Sequence, residues 1–201
     1  MGDPGPVGVK RFERRGKKLV TSFEPEEVQL LQSLVQQLVE LITEHGRRVE
    51  ESTPAPAQPD DPFAFWERDL REHPDQPEVP EDPVLQRLFP DAYPHDPRAS
   101  SDFRRFTEQD ARAAKLAAAQ VVLDGLASCR DGRDLKVPLD QADAWLKTLT
   151  NLRLSLATRL QITDAESAEL LSELPEDDPR AFLYGVYEWL AFAQETLVQS
   201  L

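Results

Sequence analysis

The sequence predicts a mainly α protein: a bundle of four main helices with a short N-terminal β-hairpin and a long proline-rich, acidic insertion. Three observations carry this. Along Leu139 to Leu160 the apolar residues Ala142, Trp145, Leu149, Leu152, Leu156 and Leu160 recur in steps of three and four, which sets them on one side of a 3.6-residue helix. Val28, Leu31, Val35, Leu38 and Ile42 repeat the pattern, as do Phe182, Val186, Trp189, Ala193 and Leu197. Between Arg47 and Arg98 lie eleven of the 17 prolines and thirteen acidic residues, a density that removes backbone donors and stops helices.

Residues 7–24 read as a two-stranded hairpin turning at Arg15-Gly16, with Val7, Val9 and Phe12 on one arm and Leu19, Val20 and Phe23 on the other. A lone hairpin is marginal, so it must dock on the helices. Glu24-Pro25-Glu26-Glu27 opens the first helix, over 25–45, because proline fits a first turn and glutamates suit the positive end of the dipole. Leu30, Leu34 and Leu41 thicken its seam, and His45-Gly46 is expected to stop it. The segment 47–98 is expected to be an exposed or mobile linker with two islands. Pro62 to Leu70 carries Phe63, Phe65 and Trp66, either folded onto the bundle or exposed as an aromatic docking motif. Asp82 to Tyr93 promises about two helical turns through Val84, Leu85, Leu88 and Phe89.

Ser100 or Ser101 is the expected cap of a helix over 102–126, with an alanine-rich face at Ala111, Ala114 and Ala118. A loop at 129–133 and an extended Leu135 to Pro138 lead into the central helix, which Asp140 is positioned to cap. Leu146 and Leu154 lie off its main line, so its apolar face is broad. A short helix is expected around Asp164 to Leu174, and Asp178-Pro179 starts the last one. The whole, residues 1–201, reads as one helical domain large enough to close its own core.

The formal net charge of −14 repels nucleic acid as a whole, so direct DNA binding is expected to be weak or indirect. One cysteine, Cys129, excludes an internal disulfide and suits a reducing cytoplasmic interior. No apolar run approaches the ~20 residues that span a bilayer, and no membrane attachment is expected. His45, His73 and His95 lack metal-ligand spacing, and the dinucleotide, phosphate-loop and nucleophile-elbow signatures are missing. No metal, cofactor or catalytic residue is expected, and the chain is not read as an enzyme.

Two features remain as candidates. Lys10, Arg11, Arg14, Arg15, Lys17 and Lys18 against Glu13 give +5 within nine residues, a hairpin tip suited to phosphate or to an acidic partner face. With only Phe12 available for base stacking, protein contact outranks nucleic-acid readout. Partner-binding candidates are therefore Arg14, Arg15, Lys17 and Lys18, with Phe63, Phe65 and Trp66. Cys129 is the redox candidate: Arg130 beside it favours thiolate, while a helix C-terminus opposes it.

The hairpin with its Arg-Gly turn, the leucine-rich first helix, RLFPDAY at 87–93, DARAAKLAAAQVVLDGL at 110–126, LDQADAWLKTLTNLRLSLATRL at 139–160 and YGVYEWLAFAQETLV at 184–198 together resemble the actinobacterial domain-of-unknown-function family 2017. The resemblance spans nearly the whole chain, and the family includes an oxidative-stress transcriptional regulator. It implies a cytoplasmic, non-enzymatic regulator of transcription that contacts a sigma factor or RNA polymerase. Redox sensing in that regulator is associated with a close cysteine pair, whereas this chain has Cys129 alone. Family members tend to be encoded near a Clp adaptor and a JAMM-type metallopeptidase. An adaptor or partner in a Clp, metallopeptidase or sulfur-carrier system is therefore the alternative. A homodimer is left open.

Overall fold

A computed structural model of the protein describes residues 10–52, 80–129 and 134–201. Among these are six α-helices and a three-stranded antiparallel sheet, so the protein is mainly α. The island carrying Phe63, Phe65 and Trp66 lies outside the described residues, as do Val7, Val9 and Arg130.

Strands β1 (Glu13–Arg15) and β2 (Lys18–Thr21) form the expected hairpin, with Arg15 opposite Lys18. Gly16 takes the positive φ of +66° that the first position of such a two-residue turn demands. A third strand, β3 (Leu135–Pro138), pairs along the other edge of β2, Leu19 opposite Val137 and Val20 opposite Lys136. The extended segment expected near Pro138 is thus a partner of the hairpin, and the Leu139 amide donates to the Lys17 carbonyl at 3.1 Å. Leu19, Leu135 and Val137 are fully buried. Phe12 meets Phe23 edge-on at 6.4 Å, and Phe23 lies 5.8 Å from Trp189 of the last helix. The hairpin docks as its marginal size requires.

Helix α1 runs over Pro25–Ser52, past the expected stop. Gly46 does not break it. It is buried, and a Cβ there would collide with the Arg112 guanidinium, so the glycine admits a neighbour's side chain instead of ending the helix. Helix α2 (Pro83–Leu88) is capped by Asp82, which accepts from the Val84 amide at 2.7 Å and also from Arg159 at 2.7 Å. Helix α3 (Pro97–Ala127) begins earlier than expected: Asp96 is the cap, accepting from the Ala99 amide at 3.0 Å. Ser100 is buried inside the helix, its hydroxyl donating to the Tyr93 carbonyl and accepting from the Tyr93 amide. Asp96-Pro97 is the same start pair as Asp82-Pro83 and Asp178-Pro179, and the aspartate outcompetes the serines because the proline after it fits the first turn.

Helix α4 (Ala142–Arg159) follows a single 3-10 turn at Leu139–Gln141, without side-chain capping by Asp140. It is the hub, in contact with α1, α2, α3 and the last helix. Its six expected apolar positions are all buried, with Leu146 and Leu154 packed at the margin. Helix α5 (Ala165–Ser172) opens on an Asp164–Ser167 capping box. Helix α6 (Pro179–Gln199) is capped by Asp178, which accepts from the Arg180 amide at 2.8 Å. Val186, Trp189, Ala193 and Leu197 are buried, whereas Phe182, one turn nearer its start, is 65% exposed. The Trp189 indole donates to Glu27 at 3.1 Å and joins α6 to α1. No described helix is long and apolar enough to cross a membrane.

Candidate functional site

Three places on the molecule are candidate sites. The first is the sheet. Side chains alternate across a strand, so Glu13, Arg15, Lys18 and Lys136 fall on one face of β1-β2-β3 by their pairing. Lys136 is exposed, as are Lys10, Arg11, Arg14, Arg15, Lys17 and Lys18. Three of the arginines are already engaged. Arg15 pairs with Glu13 at 3.0 Å, Arg14 donates to the Leu201 carbonyl at 2.6 Å, and Arg11 lies over the Phe192 ring at 5.9 Å. The lysines Lys10, Lys17, Lys18 and Lys136 have no ion pair among the described residues. Lys136 stands over a hundred residues from the hairpin in sequence, and only β-pairing reveals that it belongs to this surface.

Cys129 is the second place. It follows the end of α3, buried to 6% exposure, its thiol donating to the Gly125 carbonyl at 3.5 Å. Burial pushes the thiol's pKa up, and Asp134 adds to that, against a smaller opposing hydrogen bond from Ser128. Desolvation penalises the thiolate. The helix C-terminus therefore has burial on its side in holding this cysteine as a thiol.

The third place carries charge where a core is expected. The apolar stripe of α3, followed back from Leu126 through Val122 and Ala119 in helical steps, arrives at Lys115, Arg112, Glu108, Arg104 and Ser101. All of these except the half-buried Lys115 are buried. Ala114, expected on the inner face, is exposed. Nε2 of the buried His45, on α1, donates to Oε1 of Glu108 at 2.7 Å. Nε of Arg104 lies 3.7 Å from the other oxygen of Glu108, and its Nη2 pairs with Asp91 beyond α2. Removing a charge from water costs several kcal/mol unless it is paired, and here the four groups pair in series. The Phe89 ring is tilted against His45 at 5.7 Å on one side and takes the Lys115 ammonium at 5.5 Å.

Beside this chain of charges lies a cleft of about 240 Å³, walled by Leu88, Phe89, Phe103 and Ala111 and edged by Arg104 and Lys115. Lys115 donates to Asn151 of α4 at 3.2 Å, and burial lowers its pKa. Sequence reasoning missed this site because Arg104, Glu108 and Arg112 look like a solvated helix face. Their phase relative to the apolar stripe is the signal that marks them. Among the described residues no cluster of three or more His, Cys, Asp or Glu is arranged to hold a metal.

Comparison with known proteins adds relatives. The putative oxidative stress regulator AosR of Mycobacterium leprae is 36% identical over 135 residues, covering 61% of this chain and 59% of that protein. The oxidative stress regulators AosR of Mycobacterium bovis and Mycobacterium tuberculosis are 29% identical over 206 residues, covering 96% of this chain and 86% of theirs. No solved structure matches. The family model described as Domain of unknown function (DUF2017) matches residues 9–201, the sheet and all six described helices included, and the chain belongs to that family.

Proposed function

We propose that this protein is a cytoplasmic, non-enzymatic regulator in the oxidative-stress response that acts on transcription by binding another protein, a sigma factor or RNA polymerase. The names of the mycobacterial relatives support the stress-regulatory part. One observation supports protein contact: on a chain of net charge −14, Lys17, Lys18 and Lys136, with no ion pair among the described residues, gather at one small sheet and its turn. Such a local positive patch steers an acidic partner face to a defined place, while the acidic remainder repels nucleic acid. Phe63, Phe65 and Trp66 belong to this reading as a second, aromatic contact.

The test is affinity capture of the full chain, with and without peroxide, comparing the unmodified protein with a Lys17→Glu/Lys18→Glu/Lys136→Glu variant. These exposed positions lie outside the core, so stability should move by no more than ~0.5 kcal/mol each. Capture of sigma factor or polymerase subunits by the unmodified protein, weakened by salt and lost in the variant, is the expected outcome. Capture of Clp or metallopeptidase components instead moves the protein to an adaptor role, and full capture by the variant removes the sheet from the contact.

A further inference from the structure

We propose that the cleft between α2 and α3 binds a small monocarboxylate with an apolar body, its carboxylate on the Lys115 ammonium and its body against Phe89. This goes beyond the regulatory reading and stands or falls separately from it. The charge inventory of the cleft carries the argument. Arg104 pairs with two carboxylates, Asp91 and Glu108, and Glu108 also accepts from the His45 ring. Lys115 has no carboxylate partner among the described residues, and Asn151 accepts only one of its three donors. A half-buried ammonium without a counter-charge is costly, and burial already weakens its hold on the proton. A bound anion reverses both effects.

The same inventory sets the ligand's charge and shape. Lys115, with no carboxylate in contact among the described residues, matches one negative charge. Asp91 and Glu108, along the same wall, repel a second and disfavour phosphate esters and dicarboxylates. Arg104, Glu108, Ala111 and Lys115 follow one side of α3 in helical steps over about 16 Å at ~1.5 Å per residue. The acid lies at the Lys115 end of this line, beside the Phe89 ring that the ammonium already faces. The cleft's volume of about 240 Å³ restricts the ligand to a small acid such as benzoate. Phe89, Phe103 and Leu88 supply its apolar walls, and the small side chain of Ala111 leaves the floor open.

Sodium benzoate is the probe, titrated into the full chain by calorimetry and by amide NMR, with benzamide as the neutral isostere. Benzoate should saturate, shift the amides around Ala111 and Lys115, and raise the Lys115 ammonium pKa. Benzamide should bind at least about tenfold more weakly, a difference of ~1.4 kcal/mol. Lys115→Met should lose benzoate binding by a similar factor, and Ala111→Leu should abolish it by filling the floor with no change of charge. Should the leucine variant not fold, the isostere and Lys115→Met decide alone. The proposal is overturned if benzoate does not saturate, if benzamide binds equally, if Lys115→Met retains full affinity, or if inorganic phosphate binds in preference to benzoate.

Discussion

Glu108 holds two partners at once, His45 through one oxygen and Arg104 through the other. Its removal takes the carboxylate from the buried His45 while Arg104 keeps Asp91, and breaking a buried pair costs about 3–5 kcal/mol. Glu108→Ala should therefore lower the urea midpoint by a corresponding amount without changing the denaturant slope; a loss below ~1 kcal/mol would show that water already reaches these groups. Cys129 yields the second prediction at this scale. Because burial favours the thiol over the thiolate, the native protein should react with Ellman's reagent at neutral pH far more slowly than the urea-unfolded chain. Equal rates would restore Cys129 as an open sensor. A slow native rate locates any peroxide response elsewhere, or in a state that uncovers the end of α3.

Helix ends supply the third. The Asp178 carboxyl is held at about 2, first by the side-chain hydrogen bond from Arg180, then by the Arg180 amide and the guanidinium charge. A carboxyl whose folded pKa lies below its unfolded value of ~3.9 stabilises the fold above that value and loses the contribution as pH falls through the folded pKa. Asp178→Asn should thus lower the melting temperature at pH 6, and the gap to the unmodified protein should close as the pH approaches 2. A gap that persists at pH 2 would assign the effect to something other than the charge.

The elements differ in how openly the sequence shows them. The seams of α1, α4 and α6 were legible because apolar spacing reports a buried helical side directly, and Asp82 and Asp178 marked two helix starts through the proline that follows. Gly46 misled because a glycine near a histidine resembles a helix stop, whereas here it makes room for Arg112. Ser100 misled because its capping chemistry is spent on Tyr93. The lysine surface was legible at Lys17 and Lys18 and not at Lys136, since no local pattern announces which distant strand will pair with β2. The cleft was hidden because buried charges follow the same helical phase as leucines and carry the opposite hydropathy.

Across the whole molecule, the central helix and the sheet divide the labour of closure. Helix α4 joins α1, α2, α3 and α6 by apolar packing, which tolerates small shifts. The sheet fixes one register, because a slip of one residue would turn Leu19 and Val137 outward. Arg14 ties the same sheet to the Leu201 carbonyl. The basic surface is therefore assembled on the part of the fold with the least freedom to slide, which suits a contact read by position as well as by charge.

The pairing of β2 with β3 also sets a timetable. On the ribosome the hairpin is made early, yet the strand that completes it is translated more than a hundred residues later. Until then one edge of β2 offers its open amides and carbonyls to any passing strand. Closing so long a loop comes late in folding. The like charges at Arg14, Arg15, Lys17 and Lys18 repel those of a second nascent copy and so disfavour pairing between copies before Leu135–Pro138 arrives.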